Sequence, residues 1–221
     1  MRPRFPLVLL ALVVALALAV TGCGGDDDGD SDADVVTEKT ELLAGIPQDG
    51  ALLGEADAPV KITEYLDLQC PFCKRASEEL LPDLLTEFVE PGTASIEGRP
   101  IVQIGPASGD GALGAYAASE QDKMWEFIEI TLANQEGEES GWLDRELMEG
   151  IATDIGLDVD KWAEDYTSDA AASWVSGGLT AAANDEAQGV PHYVIEGPGG
   201  REVVPGLGSL DQFREAIAGV S

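Results

Sequence analysis

The sequence predicts an α/β domain in the order strand, helix, strand, a long helical block, then strand, strand, helix. Three observations carry that reading. Val60 to Leu68 (VKITEYLDL) mixes β-branched and alternating apolar residues and runs straight into Cys70-Pro71-Phe72-Cys73. From Ala112 to about Asn184 the apolar spacing becomes helical. Strand signals then return at His192 to Glu196 and at Glu202 to Val204, across the turn-forming Gly197-Pro198-Gly199-Gly200. The stretch from Asp57 onward is long enough for one domain with a substantial core.

Ahead of that domain, Arg2 and Arg4 precede a sixteen-residue apolar run from Phe5 to Val20. A membrane span needs about 20 residues, so the run fits the apolar region of an export signal better. Its end, Val20-Thr21-Gly22-Cys23, resembles the lipobox of prokaryotic lipoproteins, which implies cleavage after residue 22 and a lipid on Cys23. An uncleaved anchor is the competing reading, and both place the domain outside the cytoplasm on a membrane tether. Gly24 to Asp34 (GGDDDGDSDAD) holds six aspartates and no apolar side chain larger than alanine, too little to offset the entropy of ordering. Residues 1–22 are thus expected to be a signal peptide, 23–50 a lipidated cysteine with an acidic flexible spacer, and 51–221 the folded domain. The aspartates lack the spacing of a calcium loop and read as a solvated run.

Within the domain, Pro71 suits the first position of a helix because it has no N–H to leave unpaired. That helix carries Leu80, Leu81, Leu84, Leu85 and Phe88 on one face, and Pro82 predicts a kink or break near Leu81. Ala94 to Ile104 reads as a strand pair or one irregular strand. In the helical block, Met124, Trp125, Phe127, Ile128 and Leu132 make one stripe, and Leu147, Ile151 and Ile155 another. Asp144 and Asp158 stand where helix caps are useful, and Trp142 and Trp162 read as packing residues. A last helix spans about Leu210 to Ala218.

The chemistry is concentrated in the cysteines. Only three occur, and Cys23 belongs to the export segment, which leaves Cys70 and Cys73 as one close pair. Two intervening residues let both sulfurs meet at the first helical turn. Free N–H groups there favour negative charge, so Cys70 is expected to ionise readily and the pair to be redox-active. The net charge of −30, from 42 acidic and 12 basic residues, makes nucleic acid and anionic lipid poor partners and opposes thiolate formation.

These residues resemble the DsbA-like branch of the thioredoxin superfamily over about Gly54 to Ala218. The resemblance rests on APVKITEYLDLQCPFC, the helical insertion around DKMWEFIEITLANQ and GVPHYVIEG. It implies a thioredoxin-like fold with a helical insertion at about 110–185. It further implies that Cys70 is the exposed nucleophile, Cys73 the buried resolving cysteine, and Val190-Pro191 a cis-proline loop against the motif. Pro71, Phe72, Val190 and Pro191 are the expected substrate contacts, and Val190 would pair its backbone with an extended chain. Glu64 matches a buried acid beneath the site that trades protons with Cys73, the alternative being a solvent-facing glutamate. By alternation Asp67 points to the opposite face. Pro71 and Phe72 bring no positive charge between the cysteines, leaving Lys74 and Arg75 just beyond the motif as nearby cations. His192 follows Pro191 and reads as a packing or surface residue.

No cofactor is implied. The expected activity is thiol-disulfide exchange that forms disulfides in cysteine-containing exported proteins, with re-oxidation by a DsbB or vitamin K epoxide reductase-like quinone enzyme. The alternatives are the reverse flux, as a reductase or isomerase, or a tethered binding module with a structural disulfide. A zinc site lacks ligands beyond Cys70, Cys73 and His192.

Overall fold

The computed structural model describes residues 32–221, so the signal segment and Cys23 lie outside the described residues. Six strands form one sheet in the order β1-β2-β4-β3-β5-β6. These are β1 (Gln48–Asp49), β2 (Leu52–Leu53), β3 (Val60–Leu66), β4 (Ala94–Pro100), β5 (His192–Gly197) and β6 (Gly200–Pro205). The central strand β3 pairs in parallel with β4 and antiparallel with β5. It is buried on both faces, which explains its nearly continuous apolar run.

Helix α2 (Pro71–Glu79) leaves the end of β3, with Cys70 as its extended N-cap and Pro71 in its first turn. The break expected near Leu81 falls at Leu80, where φ is −116°. The chain resumes as a short helix, α3 (Leu81–Leu84), followed by a π-helical turn over Leu85–Val89. Pro82 sits in the first turn of α3, where its missing N–H leaves no helical bond unmade. Ala94 to Ile104 resolves into one strand and a loop. Between β4 and β5 lie α4 (Pro106–Ser119), α5 (Met124–Ala133), α6 (Arg145–Asp154), α7 (Val159–Tyr166) and α8 (Asp169–Asn184). Asp144 and Asp158 accept hydrogen bonds from the backbone of Leu147 and Lys161, capping α6 and α7. Helix α9 (Leu210–Val220) closes the chain.

One sheet face carries Val60, Ile62, Ile96, Tyr193 and Ile195 against α3, Trp125 and Phe213. On the other, Tyr65 and Val194 pack with Ala182 of α8. The insertion has its own core around Phe127, Met148 and Trp162, and that core includes both cysteines. Gly114 of α4 permits this packing, since a Cβ there would stand 2.9 Å from Phe127 and 3.0 Å from Met148.

The residues between 32 and 50 depart from the expected flexible spacer. Helix α1 (Asp32–Leu42) contacts α5, Leu43 is buried in the sheet core, and Gln48–Asp49 forms the sheet edge. Composition hid this because the ordering comes from tertiary contacts of Lys39 and Leu43, not from an apolar periodicity. Among the described residues, no helix is long and apolar enough to cross a membrane.

Candidate active site

Strand β3 and helix α2 place the two cysteines at the edge between sheet and insertion. The N–H of Cys73 and that of Lys74 both donate to the Cys70 carbonyl, which fixes the first turn. Cys70 and Cys73 are free thiols within hydrogen-bonding reach of each other. Their environments differ in sign. The Cys73 thiol donates to the Cys70 sulfur, and backbone N–H groups of Cys73 and Phe72 add to it, bringing Cys70 down from 9.0 to about 7. Burial pushes Cys73 well above its ordinary value, reinforced by the hydrogen bond to Cys70.

Cys70 is only 5% exposed, a correction to the open nucleophile that the resemblance implies. The covering group is the Val190 loop: the Cys70 sulfur lies 3.6 Å from the Val190 carbonyl oxygen, across 120 residues of sequence. The Val190-Pro191 peptide bond is cis. Phe72, by contrast, projects to solvent with 56% exposure. A surface groove beside the motif is lined by Gln188, Gly189, Val190, His192 and Pro205.

The expected cations do not reach Cys70. Lys74 Nζ donates to the Ala133 carbonyl at the C-terminal end of α5, and Arg75 pairs with Glu79 one turn on. Backbone dipoles and the neighbouring thiol therefore carry the stabilisation of the thiolate. His192 is buried and packs on the Tyr65 ring, and its Nε2 has no partner among the described residues. Burial lowers its pKa, which keeps it neutral.

Glu64 sits on the face of β3 that meets α2 and α5, and is 8% exposed. The Tyr193 hydroxyl donates to it at 3.0 Å. Burial raises it to about 8, with Tyr193 opposing and Glu129 adding to the rise. It is close enough to Cys73 to push that thiol up further.

Three further residues hold the motif in place. Asp67, fully buried just after β3, accepts from the backbone N–H of Gln69, Gln103 and Ile104, at 2.8–2.9 Å. Its own N–H points at the Cys73 sulfur at 3.5 Å. The Gln69 side chain donates to Ser108 and Glu139 and accepts the Glu139 N–H. Gln135 donates to the Leu68 carbonyl. Sequence reading weighed Asp67 only as a rival to Glu64 and passed over both glutamines. The available signal was polar residues alternating with apolar ones immediately before a reactive pair, where the chain is still buried.

Free thiols of opposed acidity at a strand-to-helix junction, faced by the Val190 loop, make a candidate site for thiol-disulfide exchange. The chain belongs to the DsbA-like family of thiol-disulfide oxidoreductases in the thioredoxin superfamily, and the Thioredoxin family pattern matches residues 48–217. It is 30% identical over 149 residues to the "Probable disulfide bond formation protein D" of Bacillus cereus, across 66% of this chain and 69% of that one. Its fold is similar to BdbD from Bacillus subtilis, with a TM-score of 0.69 and 22% identity over 78% of this chain and 95% of that one. It is likewise similar to α-DsbA2 from Wolbachia pipientis, with a TM-score of 0.64 and 18% identity over 86% and 96%.

Proposed function

We propose that this oxidoreductase forms disulfides in cysteine-containing exported proteins while tethered outside the cytoplasm by a lipid on Cys23. The observation that supports the direction is the similarity to the "Probable disulfide bond formation protein D" of Bacillus cereus, and the split between the thiols, with Cys70 at about 7 and Cys73 far above it, supports exchange through Cys70. A nucleophile near 7 matches that of thioredoxin and is far less acidic than that of DsbA, so the thiol acidity names the attacked sulfur and leaves the direction to the redox titration below. A substrate thiolate attacks Cys70 Sγ of the disulfide. The Cys70–Cys73 bond breaks, its electron pair leaves on Cys73, and Cys73 takes a proton from Glu64. The substrate's second thiolate then attacks the mixed disulfide and releases Cys70 as a thiolate. Val190 and Pro191, with Pro71 and the exposed Phe72, contact the extended substrate through backbone groups and apolar surface. A membrane quinone-linked enzyme of the DsbB or vitamin K epoxide reductase-like kind restores the disulfide.

Trapping tests the assignment. Cys73→Ala accumulates mixed disulfides through Cys70, whereas Cys70→Ala accumulates few. Equal alkylation of both thiols at pH 7, with no trapped species, overturns it. A redox titration against glutathione tests direction, with a potential above roughly −200 mV expected and one near that of thioredoxin, roughly −270 mV, favouring a reductase. Cys23→Ala is expected to release the protein from the membrane fraction, and continued membrane binding means an uncleaved anchor instead.

A further inference from the structure

A second buried carboxylate lies beside the site, on a helix of the insertion. Glu129 of α5 is 1% exposed and receives the Ser77 hydroxyl of α2 at 2.5 Å. Lys39 of α1 stands 3.9 Å from it and also reaches Glu38, which is exposed. Glu129 and Glu64 line one small cavity together with Ser77, Tyr193, Trp125 and Leu132. The space open to a water centre there is about 10 Å³, room for about one molecule, and the carboxylates and hydroxyls around it supply the polar partners a water needs. On its far side, Lys39 borders a surface cleft shared with Glu38, Lys74 and Glu78. A buried acid with a hydroxyl donor is thus joined, through Lys39, to a side chain that also borders the surface.

We propose that Glu129 is a second proton station for Cys73, passing the proton held by Glu64 to solvent through the shared cavity and the Lys39 edge. The inference rests on Cys70 and Cys73 exchanging disulfides as described above. When the pair is re-oxidised by a disulfide-bearing partner, Cys70 first carries the mixed disulfide. The Cys73 thiol must then lose its proton, attack Cys70 Sγ and expel the partner's sulfur as a thiolate. At neutral pH Glu64 is mostly protonated and cannot accept that proton until it has handed on its own. Glu129 is the acceptor in reach. Burial raises both acids, but Glu129 has the Ser77 hydroxyl at 2.5 Å and the Lys39 ammonium at 3.9 Å to favour its carboxylate, where Glu64 has the Tyr193 hydroxyl. The groups facing it are Glu64 of β3, Ser77 and Glu78 of α2, Tyr193 of β5, and Lys39 of α1. Glu129 acts through Glu64, so it is a positioning residue for the proton.

The test is single-turnover oxidation of the reduced full chain by oxidised glutathione, quenched and resolved by mass, from pH 6 to pH 9. Wild type must first form and resolve the Cys70–glutathione adduct; if it does not, the exchange reading fails and this inference with it. Glu129→Gln is expected to slow resolution about tenfold at neutral pH, less than the roughly 10² to 10⁴ of a group acting directly on the proton. Lys39→Met leaves Glu129 protonated at neutral pH, and the expected slowing is severalfold there and recovers toward the wild-type rate by pH 9. Alkylation of Cys70 stays unchanged in both, whereas a loosened site would alter it. Wild-type resolution in Glu129→Gln, or slowing in Lys39→Met that does not recover with pH, overturns the proposal. If Glu129→Gln does not fold, the pH recovery of Lys39→Met decides alone.

Discussion

Glu64 and Asp67 leave the same stretch of chain three residues apart, both buried and both carboxylates, and the fold treats them in opposite ways. Asp67 faces three backbone N–H groups drawn from two segments, Gln69 and the loop at Gln103 and Ile104. Glu64 faces an apolar wall, with the Tyr193 hydroxyl as its donor and a second carboxylate across the cavity. A carboxyl buried with few donors shifts its pKa upward and takes up a proton, which is the case of Glu64. Asp67 ties the chain just before the cysteines through three backbone bonds, and Glu64 beneath them is pushed toward its protonated form. Burial alone does not distinguish a structural acid from a working one. The number of donors does.

The cysteines repeat the contrast on a smaller scale. Cys70 collects a thiol and two backbone N–H groups and is brought down to about 7. Cys73, one turn deeper, loses its hydration and is pushed up. The same motif thus holds one group that ionises readily and one that needs a partner to take its proton.

Removing the tie is expected to cause the largest loss of stability. Asp67→Ala leaves one buried and two partly buried N–H groups without their acceptor, at about 1–3 kcal/mol for the buried one and less for the two that water can reach, so urea unfolding should show a loss of roughly 2–4 kcal/mol. Thiol exchange should slow as well, because Gln69 loses one of its anchors. A loss below about 1 kcal/mol would remove the distinction between the two acids.

Glu64→Gln keeps an acceptor for Tyr193 and removes the titration. With the folded pKa raised from 4.5 to about 8, the native state holds a proton that the unfolded chain has already released between those values. Wild-type stability therefore falls, relative to the variant, as pH rises through that window, and the difference levels off above pH 8. The expected gain of the variant at pH 9 is on the order of 5 kcal/mol, with none below pH 4. Melting curves at both ends check the sign, and a variant less stable than wild type at pH 9 contradicts it.

Tyr193→Phe should have the smallest effect. It withdraws the hydroxyl that opposes the upward shift of Glu64, so the carboxyl should titrate still higher, with a stability change of about 1 kcal/mol. The carboxylic acid band in infrared spectra against pH reads this directly, and an unmoved band would mean that Tyr193 does not tune Glu64.

Read along the chain, the α/β order, the helical block, the caps at Asp144 and Asp158, the break near Leu81 and the helix start at the cysteine pair were all legible. Each is written in local spacing, turn chemistry or side-chain type, and such signals survive without knowledge of the fold. Helix α1 was not legible, because it is held by a buried lysine and by contacts with α5 rather than by its own periodicity. The roles of Gln69, Gln135 and Glu129 were equally hidden. Each depends on a partner tens of residues away, as Ser77 is 52 residues from Glu129.

By itself the sequence pointed to the kind of chemistry, since two cysteines separated by two residues at a strand-to-helix junction have few other uses. Only the tertiary structure decided which way each sulfur's acidity moves and which acids lie beside them. Acidity depends on desolvation and on donors brought from distant strands and helices, and no spacing along one segment specifies those.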